Sequence, residues 1–329
     1  MAASRARRRA GLVALAALTT ALGAGFLYRP GDDVTDGRHD RGDNAAWLSH
    51  GWMADDGWLS RNHRDPARYR SPAALSALAS RLRRHGVATV FPHLCPAEWA
   101  RPAPRDAAQT ERLLDALDGV RVMPWVGGVF ERQVMPDDPT WRRAFARAVG
   151  ELLRAHPRLA GVNLNVEPWP DGHRGMLSLL EELRAAMPAG RALTVAAYPP
   201  PTRWQSDREV HWSSEYTREV ARRSGGLAPM MYDTGIVIPA AYEALMARWT
   251  REVLSAAAPA PVWLGVPAYD DADKPWHRPW VEDLPHAVRG VHAGLGARPP
   301  ANYRGLALYA EWEVDEAEWR WLRGHFLRR

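Results

Sequence analysis

Residues 160–168 read Ala160-Gly161-Val162-Asn163-Leu164-Asn165-Val166-Glu167-Pro168. Three polar residues, Asn163, Asn165 and Glu167, alternate with Val162, Leu164 and Val166. A strict period of two marks a β-strand with two unlike faces. The polar face ends in a carboxylate, and Pro168, which lacks a backbone N–H, stops the strand. Two amides and an acid on one strand face are costly unless they meet a solvated or ligand-filled site. Glu167 is therefore the first candidate for chemistry.

Working outward from this strand, strand and helix signals alternate along the chain. Strand-like runs cover 45–53, 87–94, 120–126, the opening stretch, 192–197, 226–232, 262–266 and 305–309. Helical patterns fall at 73–85, 106–117, from an N-cap at Thr140 to about Ala155, and at 176–187, 213–223, 240–257, 284–295 and 315–327. Alternation of this kind implies a parallel sheet with crossover helices. Eight units over 45–329 match the size of a single (β/α)₈ TIM barrel, an α/β fold. An open doubly wound sheet would want a Gly-rich turn after the first strand, and Trp47–Trp58 holds no G-x-G-x-x-G. Walker, H-E-x-x-H and G-x-S-x-G sequences are also missing.

Upstream, Arg5, Arg7, Arg8 and Arg9 precede an uncharged, mostly apolar run from Gly11 to Tyr28. This reads as a signal peptide or signal anchor over 1–30, with the rest of the chain exported, secreted or held at the outer face of the cytoplasmic membrane. Residues 31–44 then read as an exposed linker.

Composition is globular, with 46% apolar and 25% charged residues. The net charge of +5 is not a nucleic-acid signal: Lys274 is the only lysine, and the arginines lie on helices beside acids without forming a basic stripe. Cys95 is the only cysteine, so no intrachain disulfide forms, and within an apolar strand it reads as a small core residue. His93 has no second histidine at ligand spacing, so no metal and no cofactor is expected. The chain is expected to act as a monomer.

Barrel active sites form at the C-terminal ends of the strands. There the sequence places His93 and Glu98, Trp125, Asn163 with Asn165 and Glu167, Tyr198, Tyr232 with Asp233, Tyr269 with Asp270 and Asp271, and Tyr309 with Glu311, Trp312 and Glu313. Carboxylates and amides suit sugar hydroxyls, and aromatic rings suit the apolar faces of pyranoses. Among sixteen tryptophans, Trp52, Trp125, Trp169 and Trp312 sit at strand ends and are the candidate platforms, whereas Trp141, Trp249, Trp319 and Trp321 sit on helices and read as packing. The expected partner is a glycan.

These residues also carry a resemblance. The chain resembles the chitinase-like glycoside hydrolase family 18, whose fourth strand carries D-G-x-D-x-D-x-E; Ala160 to Glu167 stand in register with it. Met230-Met231-Tyr232-Asp233 is similar to the family's M-x-Y-D, and Leu264-Gly265-Val266-Pro267-Ala268-Tyr269 to its L-G-x-P-x-Y. The resemblance implies cleavage of N-acetylhexosamine-containing glycans, with the substrate's acetamido oxygen as nucleophile and Glu167 as general acid. It further implies that Asn165 holds the acetamide, that Tyr232 donates to its oxygen, and that Asp233 acts electrostatically. Asn163, Trp125, Tyr198, Tyr269, Tyr309, Glu311 and Trp312 would contact the sugar. Two departures stand out: both strand aspartates are Asn here, and Tyr309 replaces the family's floor tryptophan. The related family 85 endo-N-acetylglucosaminidases use Asn and Glu in this arrangement. Two other readings stay open: a two-carboxylate retaining glycosidase pairing Glu167 with Glu311 or Glu313 at about 5–5.5 Å, and a catalytically inactive carbohydrate-binding barrel.

Overall fold

The computed structural model describes residues 34–328 apart from 95–101, 105, 204 and 272, together with a few of the first 33. Cys95, Glu98 and most of the 1–30 segment lie outside the described residues. No described helix is long and apolar enough to cross a membrane.

Nine strands make one parallel sheet: β1 (Asn44–Leu48), β2 (Val87–Pro92), β3 (Arg121–Val122), β4 (Trp125–Val129), β5 (Gly161–Glu167), β6 (Ala192–Ala197), β7 (Leu227–Pro229), β8 (Val262–Pro267) and β9 (Tyr303–Tyr309). Their order is β3-β2-β1-β9-β8-β7-β6-β5-β4. The two ends of that order, β3 and β4, are halves of one run of chain. Met123-Pro124 separates them, and Pro124 has no N–H to continue the ladder. Around the break the sheet curls onto itself. His93 bridges Trp125, Leu94 N donates to Trp125 O at 2.9 Å, and Ala160 N donates to Val122 O at 2.9 Å. The fold is TIM-barrel-like, and the extra strand comes from this split.

The strands are buried on both faces, as a helix-covered parallel sheet requires. Val162, Leu164 and Val166 of β5 are fully buried, and so is Asn163 on its other face. Around the sheet run helices α1 (Asp56–Arg61), α2 (Ala67–Arg70), α3 (Pro72–Arg84), α4 (Ala107–Ala116), α5 (Pro139–Ala155), α6 (Arg174–Ala186), α7 (Ser214–Ser224), α8 (Pro239–Ala257), α9 (Leu284–Leu295) and α10 (Glu316–His325). On α3, Leu75, Leu78, Ala79 and Leu82 supply the buried stripe at helical spacing. Side chains of Asp106, Asp138, Ser213, Asp283 and Asp315 accept backbone N–H bonds at helix starts.

Three local expectations are corrected. The N-cap of α5 is Asp138, whose carboxylate accepts Thr140 N at 2.7 Å. The first strand ends at Leu48 and not at Met53, because a 3₁₀ turn follows over His50–Met53. In that turn Gly51 lies under the Tyr69 ring, where a Cβ would come within 2.4 Å of ring carbons. The stretch before β1, read as an exposed linker, is exposed at Thr35, Asp36, Arg38, Arg41 and Gly42 but not throughout. His39 is buried, with its ring nitrogens 2.7 Å from His292 Nδ1 and 2.7 Å from Gly296 O. Asp40 accepts bonds from Gly42 N, Asn44 Nδ2 and Arg328 N. Polar composition suggested solvent; long-range hydrogen bonding ties His39 to the end of α9 and Asp40 to Arg328.

Candidate active site

Glu167 is the last residue of β5 and is exposed at the rim, while the six residues before it are buried. Asn165, two residues earlier on the same face, donates from Nδ2 to Glu167 Oε1 at 2.9 Å. The amide orientation follows from this bond, since a carboxylate only accepts. Asn165 Oδ1 is buried and has no partner among the described residues. The Glu167 carboxyl is open on one side but crowded on the others. Lost hydration raises it above its ordinary value, the negative charge of Asp233 adds to this, and the Asn165 bond and Lys274 oppose it.

Asp233 stands just past β7 with a left-handed backbone, φ 62°. Tyr269 Oη donates to Asp233 Oδ1 at 2.6 Å, and His277 Nδ1 lies 3.1 Å from the same oxygen. His277 is fully buried and also 3.7 Å from Glu282. Burial pushes its imidazole down, but Asp233 and Glu282 outweigh that and hold it above its ordinary value. Glu282 fixes the loop after Asp233: its carboxylate accepts Thr234 N, Thr234 Oγ1 and Gly235 N at 2.9–3.1 Å. The positive φ of Asp233 is thus held by a buried acid on the neighbouring connection.

Tyr232 stacks on Tyr309 with centroids 5.2 Å apart and planes at 16°. Tyr269 meets both edge-on, at 5.8 Å and 5.3 Å, and Tyr309 meets Trp312 edge-on at 5.7 Å. Burial is the main force raising all three tyrosines, which therefore stay protonated and able to donate. Tyr198 is buried beside Trp212; burial raises it, and Glu167 and Asp233 both add to the shift, which marks its closeness to the two acids.

A cavity of about 320 Å³ opens beside Glu167, lined by His50, Asp55, Trp58, His93, Trp125, Asn165 and Gln133 among others. Burial, then the neighbouring His50, push His93 down to about 2. Burial also lowers His50, against the pull of Asp55. For Asp55, burial would raise the carboxyl, but bonds to His50 and Trp58 N hold it down at about 2.

In overall architecture the chain is similar to the spore cortex-lytic enzyme SleL of Bacillus cereus. The TM-score is 0.57 over 86% of this chain and 74% of that one, at 10% identity. It is similar to a chitinase, RmChi1, from Rhizomucor miehei, with TM-score 0.55 over 85% and 99% of the two chains at 14% identity. An endo-beta-N-acetylglucosaminidase from Cordyceps militaris aligns with TM-score 0.50 over 88% and 92% at 14% identity. This chain shares its fold with these three structures. No family profile matches the sequence, and no curated protein matches it. Identities of this size carry architecture and not activity.

On that fold, Glu167, Asn165 and Trp125 line one cavity, while Tyr232, Asp233, Tyr269 and Tyr309 contact one another. Other candidates stand apart. Asn163 is fully buried, donating to Thr194 Oγ1 at 2.9 Å below the rim. Glu311 is 4% exposed and bound by Arg81 at 3.1 Å and Trp52 Nε1 at 3.4 Å. It lines a second cavity of about 350 Å³ with Trp312, separated from the first by the shared wall residue Trp58. Glu313 is exposed. Asp271 pairs with Lys274 at 2.5 Å. Trp169 is not a platform: it is fully buried, donating to Tyr216 Oη at 2.8 Å. Sequence reading missed His50, Asp55, His277 and Glu282. His93 has no histidine at ligand spacing in sequence because His50 is 43 positions upstream, in a turn read as strand, and meets His93 only in the fold (centroids 3.3 Å apart). No sequence pattern marked His277 or Glu282.

Proposed function

We propose that this protein is an exported glycoside hydrolase that cleaves an N-acetylhexosamine-containing glycan with assistance from the substrate's acetamido group. The observation that carries the reading is the Asn165–Glu167 pair. It places a carboxyl with raised proton affinity at an open rim, next to an amide with one unsatisfied acceptor. Glu167 protonates the leaving glycosidic oxygen and later takes a proton from water. Asn165 uses Nδ2 to orient Glu167, and its unpaired Oδ1 accepts the acetamide N–H. In that position an amide oxygen makes the hydrogen bond that an aspartate would make, without the charge. Tyr232 donates to the acetamido oxygen as it closes on the anomeric carbon. Asp233 supplies the nearby negative charge that favours both a protonated Glu167 and a cationic intermediate.

A panel of glycans with and without 2-acetamido groups tests the reading. Release confined to acetamido-bearing substrates is expected; equal release from sugars lacking the group overturns substrate assistance. A two-carboxylate mechanism gains no support from Glu311, whose carboxylate is engaged by Arg81.

The role of Asp233 has its own expected result. Its charge raises Glu167, and removing that charge in Asp233→Asn lets Glu167 ionise at lower pH. A general acid works only while protonated, so the basic limb of the pH–rate profile shifts toward acid. A profile of kcat/KM with an unmoved basic limb would remove Asp233 from this role.

A further inference from the structure

The cavity beside Glu167 carries a cluster that the proposed hydrolysis does not use. His50 comes from the 3₁₀ turn after β1, Asp55 caps α1, and His93 follows β2. One donor atom from each lies within 4.8 Å of the other two. We propose that His50, Asp55 and His93 bind a divalent transition-metal ion of the zinc class.

Four observations carry this. First, His50 Nδ1 and Asp55 Oδ2 stand 3.3 Å apart. A charge-assisted hydrogen bond is shorter, about 2.7–2.9 Å. Two atoms that each sit about 2.0–2.2 Å from one tetrahedral ion are separated by about 3.3–3.6 Å. This long hydrogen bond thus has the spacing of two ligands of one ion. Second, His93 is 6% exposed and its Nδ1 has no partner among the described residues. A buried polar atom left unsatisfied is costly unless something occupies the place opposite it. Third, the donors are held in place. Asp55 Oδ1 accepts Trp58 N at 3.0 Å, which leaves Oδ2 for the site. Trp58 lies flat on the His50 ring at 4.2 Å and 5°, and Trp125 meets the His93 ring edge-on at 4.6 Å. Fourth, the site is accessible: His50 and Asp55 side chains keep 16% and 18% exposure, on a cavity also lined by Asn165 and Glu167.

Two imidazoles and one carboxylate select zinc, cobalt or nickel over magnesium and calcium, which prefer oxygen donors. Three protein ligands also leave a coordination position open toward the cavity. Among the described residues a second cluster of this kind, Asp233 with His277 and Glu282, is the weaker candidate. Its carboxylates already accept bonds from Tyr269, Thr234 and Gly235.

The test reads binding alone, so it succeeds or fails independently of the glycosidase reading. Untagged, chelator-stripped protein is titrated with ZnCl₂ by calorimetry, and with CoCl₂ by visible absorption. One ion per chain is expected, with visible cobalt bands of low-symmetry intensity and no comparable response to MgCl₂. His93→Gln and His50→Gln should each weaken zinc binding by about 100-fold or more, with unchanged circular dichroism. His277→Asn should leave stoichiometry and affinity as they were. Two variants are used because His93 is buried and His50 is not. Absence of zinc binding at submillimolar concentration overturns the proposal. So does binding that survives both His93→Gln and His50→Gln, or binding lost in folded His277→Asn.

Discussion

Replacing Glu167 with Gln is expected to lower glycan release by about 10²–10⁴-fold while leaving glycan affinity nearly unchanged. Gln keeps the size of the side chain and an acceptor oxygen for Asn165 Nδ2, so the local hydrogen bond survives. It removes the acidic proton, and with it the charge left when that proton is given up. The loss should therefore appear in kcat and not in KM. The same substitution carries a second signature. Because the folded protein raises the Glu167 carboxyl above its ordinary value, it binds that proton more tightly than the unfolded chain does. The group's contribution to stability is fully present below the unfolded value and is lost as pH rises through the folded one. Once pH has risen past the raised folded value, the ionised side chain weighs against folding, and there Glu167→Gln should melt at a higher temperature than the parent protein. Below pH 4 the two should converge. Full turnover in the variant would end the general-acid assignment. A variant that melts lower at pH 8 would show that the carboxylate serves the fold instead.

Gly127→Ala is expected to be the most damaging small substitution near the site. Gly127 lies on β4 opposite Asn165 of β5, with φ 137°, a region L side chains rarely adopt. A Cβ there would stand 1.8 Å from the Asn165 carbonyl oxygen. Backbone and not a flexible side chain is in the way, so the strands must separate. Strain at such a φ and overpacking each cost about 1–3 kcal/mol, and together they predict a loss of about 2–6 kcal/mol by denaturant titration. The strand being displaced carries Asn165 and, two residues on, Glu167. Any folded fraction should therefore also lose activity. A Gly127→Ala protein of parental stability would mean that β4 and β5 are not held as close as their register requires.

The two expectations rest on features of different visibility. Glu167 was legible because a barrel strand exposes one face to the interior rim and the other to helices. That geometry forces a period of two, and the polar side of 162–167 stands out against it. Tyr232, Asp233 and Tyr269 were legible by position, each following a strand. The role of Gly127 was not legible, since a neighbour 38 positions away sets it. Nor was the break at Met123-Pro124, which turns one expected strand into two while leaving the sheet continuous. Glu311 and Trp169 sit at strand ends in sequence as Glu167 does. Whether such a residue meets substrate or a buried partner depends on what packs over it. For Glu311 that is Arg81, and for Trp169 it is Tyr216.

By itself the sequence determined the alternating elements, the parallel sheet they build, and the strand end at which an acid stands. These follow from periodicity and backbone chemistry, which act over a few residues. Tertiary structure alone decided which groups share a cavity: His50 with Asp55 and His93, His277 with Asp233, Glu311 with Arg81. It also decided that the Asn165 amide spends its donor on Glu167 and keeps its acceptor free. Hydrogen bonds, charge and loss of hydration act through space over a few ångströms, and residues far apart in the chain reach that range only once the sheet has curled and closed its rim.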